Sequence, residues 1–239
     1  LPMPLEILSS TYADGCLYVA GGKGKPQTVP IGKDGSQTAP TNPLFSLQLT
    51  PSLQKEWVRL PDFPGPARVQ PVLTAQQSED GIRLYLAGGF QPASAHQEAI
   101  VCTDMLSYHP KTKQWRNEGF LPSLAGGSHR TVTGGCAIAS GDSSILLVGG
   151  VNYDRFRDAL NHPEPDYLLH PADWYKFNTS LLQYNTFTKH WTHLGNYEEL
   201  ARAGAGIANN ANTVIIIGGE LKPGIRTPEV NAFKLTCHP

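Results

Sequence analysis

Four short apolar runs, each closed by two glycines, dominate the hydrophobic pattern of the chain. They read Leu17-Tyr-Val-Ala-Gly-Gly22, Leu84-Tyr-Leu-Ala-Gly-Gly89, Ile145-Leu-Leu-Val-Gly-Gly150 and Val214-Ile-Ile-Ile-Gly-Gly219. The doublets start at positions 21, 88, 149 and 218, so they lie 67, 61 and 69 residues apart. A pattern that returns at a nearly fixed spacing indicates a repeat architecture. β-branched and aromatic residues fill the runs, which predicts buried strands that end in tight turns.

Each apolar run is predicted to be the second strand of a group. Alternating apolar residues and short polar turns place the first strands at 6–12, 69–75, 135–140 and 204–209. The same alternation places the third strands at 44–49, 105–108, 181–184 and 230–233. Fourth strands carrying tryptophan are predicted at 56–60, 114–116 and 190–194. The count is therefore three complete groups and three strands of a fourth.

Four antiparallel strands, with Gly-Gly after the second and Trp on the fourth, resemble the kelch motif, whose repeats form the blades of a β-propeller. The resemblance implies an all-β fold of four-stranded blades. The glycines are expected to allow close packing and the tryptophans to fill space between blades. We expect residues 1–239 to form one propeller domain with about four blades of a six-bladed ring, incomplete at its C-terminal end.

Composition and charge narrow the classes of function. Only 16% of the 239 residues are charged and the formal net charge is −1, which argues against a nucleic acid or an anionic membrane as partner. No stretch of 18 apolar residues is present, so no transmembrane helix is expected. The four cysteines lack the close spacing of a metal site, and there is no dinucleotide-binding fingerprint. We therefore expect neither a metal nor an organic cofactor.

Basic residues are expected to gather at one end of the blades. Because the first two strands of a blade are antiparallel, the entry to the first strand and the residues after each Gly-Gly meet at the same rim. Long connections of variable length at one face are typical of the binding side. Arginine matches the geometry of a carboxylate, so this rim predicts a pocket for a small anionic ligand. The predicted binding residues are Arg68, His129, Arg130, Asn152 and Arg202.

The stretch Gly218-Gly-Glu-Leu-Lys-Pro-Gly-Ile-Arg-Thr227 resembles the corresponding segment of bacterial N-acetylneuraminate epimerases, also called sialic acid mutarotases. Segments at 63–68, 108–115 and 149–177 are similar to that family in the same order. The resemblance implies that Glu220 is the general acid and base and that Arg226 is its partner in the active site. It also implies a sialic acid substrate, a six-bladed ring and export to the bacterial periplasm, with the signal peptide absent from this sequence.

Two other functions remain open at this point. A non-catalytic kelch propeller could bind a glycan or a protein partner through the same rim, since one fold hosts many functions. A propeller oxidase of the copper-radical type would need clustered Tyr and His ligands. Tyr153, His162 and His170 lie on loops but show no ligand pattern, and the two histidines fit loop positions better.

Overall fold

Four antiparallel sheets follow one another along the chain as the blades of a β-propeller arrangement. The computed structural model describes residues 1–24, 42–49, 56–124, 126–210 and 212–235. In these parts of the chain, no helix is long and apolar enough to cross a membrane.

The first two blades each contain four strands in chain order and a short accessory pair. Blade 1 has the order β2-β3-β5-β6, and β1 pairs with β4. Its elements are β1 (Leu5–Glu6), β2 (Ser9–Ala13), β3 (Cys16–Ala20), β4 (Lys23–Gly24), β5 (Leu44–Gln48) and β6 (Trp57–Leu60). Blade 2 has the order β7-β8-β11-β12, and β9 pairs with β10. Its elements are β7 (Val72–Ser78), β8 (Gly81–Ala87), β9 (Phe90–Gln91), β10 (Ile100–Val101), β11 (Asp104–His109) and β12 (Gln114–Phe120).

The last two blades differ in strand number. Blade 3 has four strands, and a helix and two 3₁₀ turns separate its second and third strands. Its elements are β13 (Cys136–Ser140), β14 (Ser144–Val148), α1 (Tyr153–Asn161), the turns Tyr167–Leu169 and Ala172–Tyr175, β15 (Ser180–Asn185) and β16 (Trp191–Asn196). Blade 4 has three described strands in the order β17-β18-β21, and β19 pairs with β20. Its elements are a 3₁₀ turn at Glu198–Leu200, β17 (Gly206–Asn210), β18 (Thr213–Ile217), β19 (Glu220–Lys222), β20 (Ile225–Arg226) and β21 (Val230–Lys234).

The predicted blades are confirmed, with Gly-Gly after each second strand and Trp on each of the three fourth strands. The first strands of blades 1 and 2 begin three residues later than predicted. Ile7 and Gln70 have positive φ angles of 58° and 56°, which break the extended backbone. Gly134 and Gly204 hold the matching position in blades 3 and 4. Backbone hydrogen bonds join these four positions from one blade to the next: the N–H of Gln70 donates to Ile7, that of Gly134 to Gln70, and that of Gly204 to Gly134.

Among the described residues, three apolar layers of the core each lie between two successive blades, and a fourth cluster lies in the blade 3 insertion. One layer joins blades 1 and 2, the second joins blades 2 and 3, and the third joins blades 3 and 4. Trp115 packs on Tyr108 with ring centroids 5.0 Å apart, and its indole donates to the carbonyl of Pro61 in blade 1. Trp191 packs on Tyr184 in the same way, at 4.8 Å. Trp115 and Trp191 therefore fill space between blades, as predicted.

The Gly-Gly doublets are required by close contact between blades. Gly149 has a φ of +67°, and a Cβ atom there would lie 2.6 Å from the carbonyl oxygen of Arg202 in blade 4. The next N–H, that of Gly150, donates to the same carbonyl at 2.8 Å. Blade 1 makes the same contact with blade 2, where Gly22 donates to Arg68. A side chain on the first glycine would push these blades apart, which explains the doublets of blades 1, 2 and 3.

Candidate active site

The entry to each first strand and the exit from each second strand meet at one rim, as the strand order predicts. In blade 4, Glu220 and Ala203 pair through two backbone hydrogen bonds of 2.7 and 3.0 Å. In blade 2, Phe90 and Val69 pair in the same way. In blade 1, the equivalent contact is the β1–β4 pair. Side chains that follow the doublets are therefore fixed to the start of the blade.

Glu220 and Arg226 face one another across a short hairpin at this rim. β19 and β20 pair with Glu220 opposite Arg226, and Gly224 in the turn has a φ of 78°. The Nε atom of Arg226 lies 3.5 Å from Oε1 of Glu220. The Glu220 side chain is 32% exposed and that of Arg226 is 83% exposed. The hairpin thus presents a carboxylate and a guanidinium together at a surface that a ligand can reach.

The long insertion of blade 3 packs beside this hairpin. Lys222, two residues after Glu220, donates from Nζ to the carbonyls of Leu168 and His170 at 3.1 and 2.6 Å. The apolar base of the insertion, formed by Val151, Tyr175 and Phe177, packs against Ala201 and Ala203. Ala203 also pairs with Glu220, so the same residue contacts both the insertion and the strand that carries the carboxylate. The insertion therefore forms one wall of the candidate site.

Asn152 lies at the start of the insertion, and His129, from the connection between blades 2 and 3, packs beside it. The His129 ring is exposed and lies 5.1 Å from the ring of Tyr153, the first residue of α1. Asn152 caps α1, because its Oδ1 accepts the N–H of Arg155 at 3.0 Å. Its amide N–H groups donate to no other described residue, so they can still bind a ligand. The structure thus brings two of the predicted binding residues to the same end of one helix.

The side chains of Arg68 and Arg202, two of the predicted binding residues, form hydrogen bonds within the protein. The side chain of Arg68 is 0% exposed, and it donates to both carboxylate oxygens of Asp104 at 2.9 and 2.7 Å. Arg202 is 2% exposed and donates to the side chains of Glu229 and Asn231. Each also donates to the carbonyl of the first glycine of a doublet, Gly88 or Gly218. We therefore treat both as residues that support the rim.

The surroundings of Arg130 differ from those of Arg68 and Arg202. Arg130 is buried, it donates no hydrogen bond to a described residue, and it lines a cavity beside the outer strands of blade 3. Neither Glu220 nor Arg226 lines that cavity. Arg130, a predicted binding residue, is therefore not grouped with the two predicted catalytic residues in this cavity.

The structure also shows a cleft in the insertion that the sequence pattern did not identify. Its volume is ≈ 260 Å³. Trp174 is sandwiched there between His170, stacked at 3.9 Å, and the guanidinium of Arg155, 4.5 Å from the ring. These residues come from a helix and two irregular turns, so no periodic spacing could reveal them.

Two of the loop residues considered for a copper-radical site have local partners. His162 contacts Asp158 at 2.9 Å, and His170 stacks on Trp174. The possible ligand atoms of Glu164, Asp166 and His170 lie within 4.8 Å of one another, although both acids are exposed. These three residues do not include the tyrosine that a copper-radical site requires.

Comparisons with known proteins point in one direction. The family model described as N-acetylneuraminate epimerase matches residues 19–238. An N-acetylneuraminate epimerase of Haemophilus influenzae (strain PittEE) is 29% identical over 245 residues, which covers 96% of this chain and 60% of the relative. One of Pasteurella multocida (strain Pm70) is 27% identical over 215 residues, which covers 84% of this chain and 52% of the relative. The chain thus spans between half and two thirds of the length of these relatives.

A solved structure described as "Structure of YjhT" has the same fold. The TM-score is 0.71, the sequence identity is 23%, and the match covers 100% of this chain and 68% of the other. At this identity the likeness supports the propeller architecture and nothing finer.

Proposed function

Because the chain belongs to the N-acetylneuraminate epimerase family, we propose that it interconverts the α and β anomers of N-acetylneuraminate, with Glu220 as the acid–base group. The observation that carries the proposal is the Glu220–Arg226 pair, 3.5 Å apart on the hairpin that follows the fourth doublet. The chain spans 52% and 60% of two relatives, so the proposal includes the prediction that the remaining blades complete the pocket.

The proposed reaction needs two proton transfers, one from the anomeric hydroxyl to Glu220 and one from Glu220 to the ring oxygen. Glu220 takes the proton from the anomeric hydroxyl and then delivers it to the ring oxygen, so that the bond between the anomeric carbon and the ring oxygen breaks and a ketone forms. Rotation about the adjacent bond and the reverse transfers close the ring on the other face. One carboxyl group can serve as base and then as acid.

Binding of the sugar acid is assigned to groups around the hairpin. The guanidinium of Arg226 is largely exposed and can hold a carboxylate through its remaining N–H groups. The exposed ring of His129, from the connection between blades 2 and 3, and the free amide of Asn152, from the insertion, add hydrogen-bond donors. We propose that these groups fix the sugar with its anomeric carbon close to Glu220.

The experiment is to follow anomer exchange of N-acetylneuraminate by NMR, in this chain and in a longer form that includes the remaining blades. Glu220→Gln keeps the size of the side chain but removes its acid–base function, so the catalysed rate should fall roughly 10²- to 10⁴-fold. Glu199→Gln, an exposed acid in a 3₁₀ turn, is the matched control and should keep the rate. If Glu220→Gln exchanges as fast as the control, Glu220 is not the acid–base group.

Stepwise addition of N-acetylneuraminate in the same NMR experiment tests the alternative function, which is binding without catalysis. Saturable binding of N-acetylneuraminate without accelerated exchange would favour a propeller that binds glycans without catalysis.

Location in the periplasm forms part of the proposal, and fractionation of bacterial cells that make the protein with its own leader would test it.

A further inference from the structure

A cavity of ≈ 510 Å³ lies between the connection from blade 2 to blade 3 and the two outer strands of blade 3. Ser123 and Leu124 line it from the connection, and Leu182, Trp191 and His193 line it from β15 and β16. Arg130 lies at its buried end. No acidic side chain is found among the described residues that line it. Its volume is within the range of pockets for small molecules, and its walls combine apolar, aromatic and basic groups.

Two of the three guanidinium nitrogens of Arg130 are buried without a partner. The residue is 7% exposed, and its Nε and Nη1 atoms form no hydrogen bond with the described residues. Burial lowers the pKa of Arg130, with no carboxylate nearby to offset the effect. Arginine stays protonated in proteins, so a buried positive charge here requires a counter-ion.

Two other blades show how this protein compensates a buried arginine at the rim. Arg68 pairs with Asp104 and Arg202 pairs with Glu229, and each acid comes immediately before the residue that faces the end of the second strand. In blade 3, the residue at that register is Ser180, because Leu181 faces Val148.

Ser180 cannot replace the acid. It is neutral, and its hydroxyl already donates to Asn196 Oδ1 at 2.9 Å. Blade 3 therefore combines a buried arginine, an adjoining cavity and a serine where the other two blades supply a carboxylate.

We propose that this cavity binds a small cyclic organic carboxylate, whose oxygens accept the N–H groups of Arg130 while its ring packs on Trp191 and Leu182. The ligand supplies the carboxylate that blades 2 and 4 take from their own chain. Trp191 is held in place from behind by Tyr184, with ring centroids 4.8 Å apart. The site is separate from the Glu220 hairpin, so the proposal does not depend on mutarotase activity.

D-Glucuronate and D-glucuronamide form a matched pair of probes, since they differ in the carboxylate alone. In ¹⁵N spectra of the whole chain, glucuronate should give a saturable shift of the Trp191 indole signal, which Trp191→Phe identifies. Glucuronamide, or glucuronate with Arg130→Met, should bind at least about tenfold more weakly, because hydrogen bonds to charged groups contribute roughly 1.5–3 kcal/mol. The absence of a saturable shift, or equal binding of the two probes, overturns the proposal.

Two further variants separate this site from a framework role and from the proposed active site. Without ligand, Arg130→Met should melt at the same temperature as the wild type or higher, because it removes an uncompensated charge. Arg68→Met should melt lower, because it leaves Asp104 without its partner. If Arg130→Met is destabilised as much as Arg68→Met, Arg130 is already paired and the proposal fails. Glu220→Gln should leave the Trp191 shift unchanged, whether or not it abolishes anomer exchange.

Discussion

One buried amide closes the ends of the blade 3 insertion. Nδ2 of Asn178 donates to the carbonyls of Thr131 and Val151 at 2.7 and 2.9 Å, with a longer contact of 3.3 Å to Gly149. The insertion leaves the sheet at Val151 and returns at Asn178, so this side chain holds its two ends together and ties both to the connection from blade 2.

Asn178→Ala should lower the free energy of unfolding by about 1–3 kcal/mol, because buried carbonyls lose their donor. Urea denaturation measures the loss. Asn209→Ala is the control, since that amide makes one hydrogen bond, to Ala139, at an exposed position. An equal effect of the two substitutions would show that the Asn178 contacts add no more stability than an exposed one.

At the scale of elements, Lys222 connects the proposed catalytic hairpin with the wall of its site. It projects from β19 and donates to two carbonyls of the irregular segment that precedes Trp174. The last carbonyls of a short 3₁₀ turn lack partners within the turn, and a lysine ammonium suits them well. The position of the insertion therefore depends on a residue two places from Glu220.

Lys222→Met should loosen residues 167–175 while the blades keep their stability. Loss of two hydrogen bonds from a charged group should raise amide exchange there roughly tenfold or more. Hydrogen exchange followed by mass spectrometry gives the measurement, and Lys234→Met, at an exposed position on β21, is the control. Unchanged exchange in 167–175 would mean that the aromatic cluster alone holds the insertion.

At the scale of the whole molecule, a buried carboxylate joins blades 2 and 3. Glu118 on β12 is 3% exposed and accepts hydrogen bonds from Ser107 at 2.5 Å, Arg116 at 2.7 Å and, across the blade interface, Tyr184 at 2.9 Å. Burial raises the pKa of Glu118, but these hydrogen bonds and the charge of Arg116 outweigh it and leave the pKa lowered.

The lowered pKa of Glu118 makes the stability of the fold depend on pH. A carboxyl group whose pKa is lower in the folded state stabilises the protein above its unfolded pKa, near 4.5, and this contribution is lost as the pH falls through the folded pKa. Urea denaturation from pH 7 down to acid should show a steep loss for the wild type and a shallower one for Glu118→Gln. The pair of the exposed Asp80 and the buried Arg83, in which the hydrogen bond from Arg83 holds the pKa of Asp80 at about 2, is present in both proteins. Parallel curves would contradict the role of Glu118.

The repeated strands and Gly-Gly doublets could be predicted from the sequence, because each depends on the residue types within a short segment. A strand buried on both faces needs an apolar run, and blades in backbone contact need a residue without a side chain, as at Gly149. The position of Glu220 after the fourth doublet followed from strand order alone. The predicted starts of two strands were three residues too early. The backbone is left-handed at Ile7 and Gln70, and neither residue is the glycine that would indicate such a turn in the sequence.

The all-β class, the succession of blades and the rim with its basic residues were predictable from the amino-acid pattern. The partners of each arginine at that rim became known from the fold alone. Arg68, Arg130 and Arg202 look alike as residues that precede a first strand, but two of them face an acid of their own blade and one faces Ser180 and a cavity. The interaction of a buried charge depends on which groups the fold places beside it, and those partners are 20 to 50 residues away in the sequence.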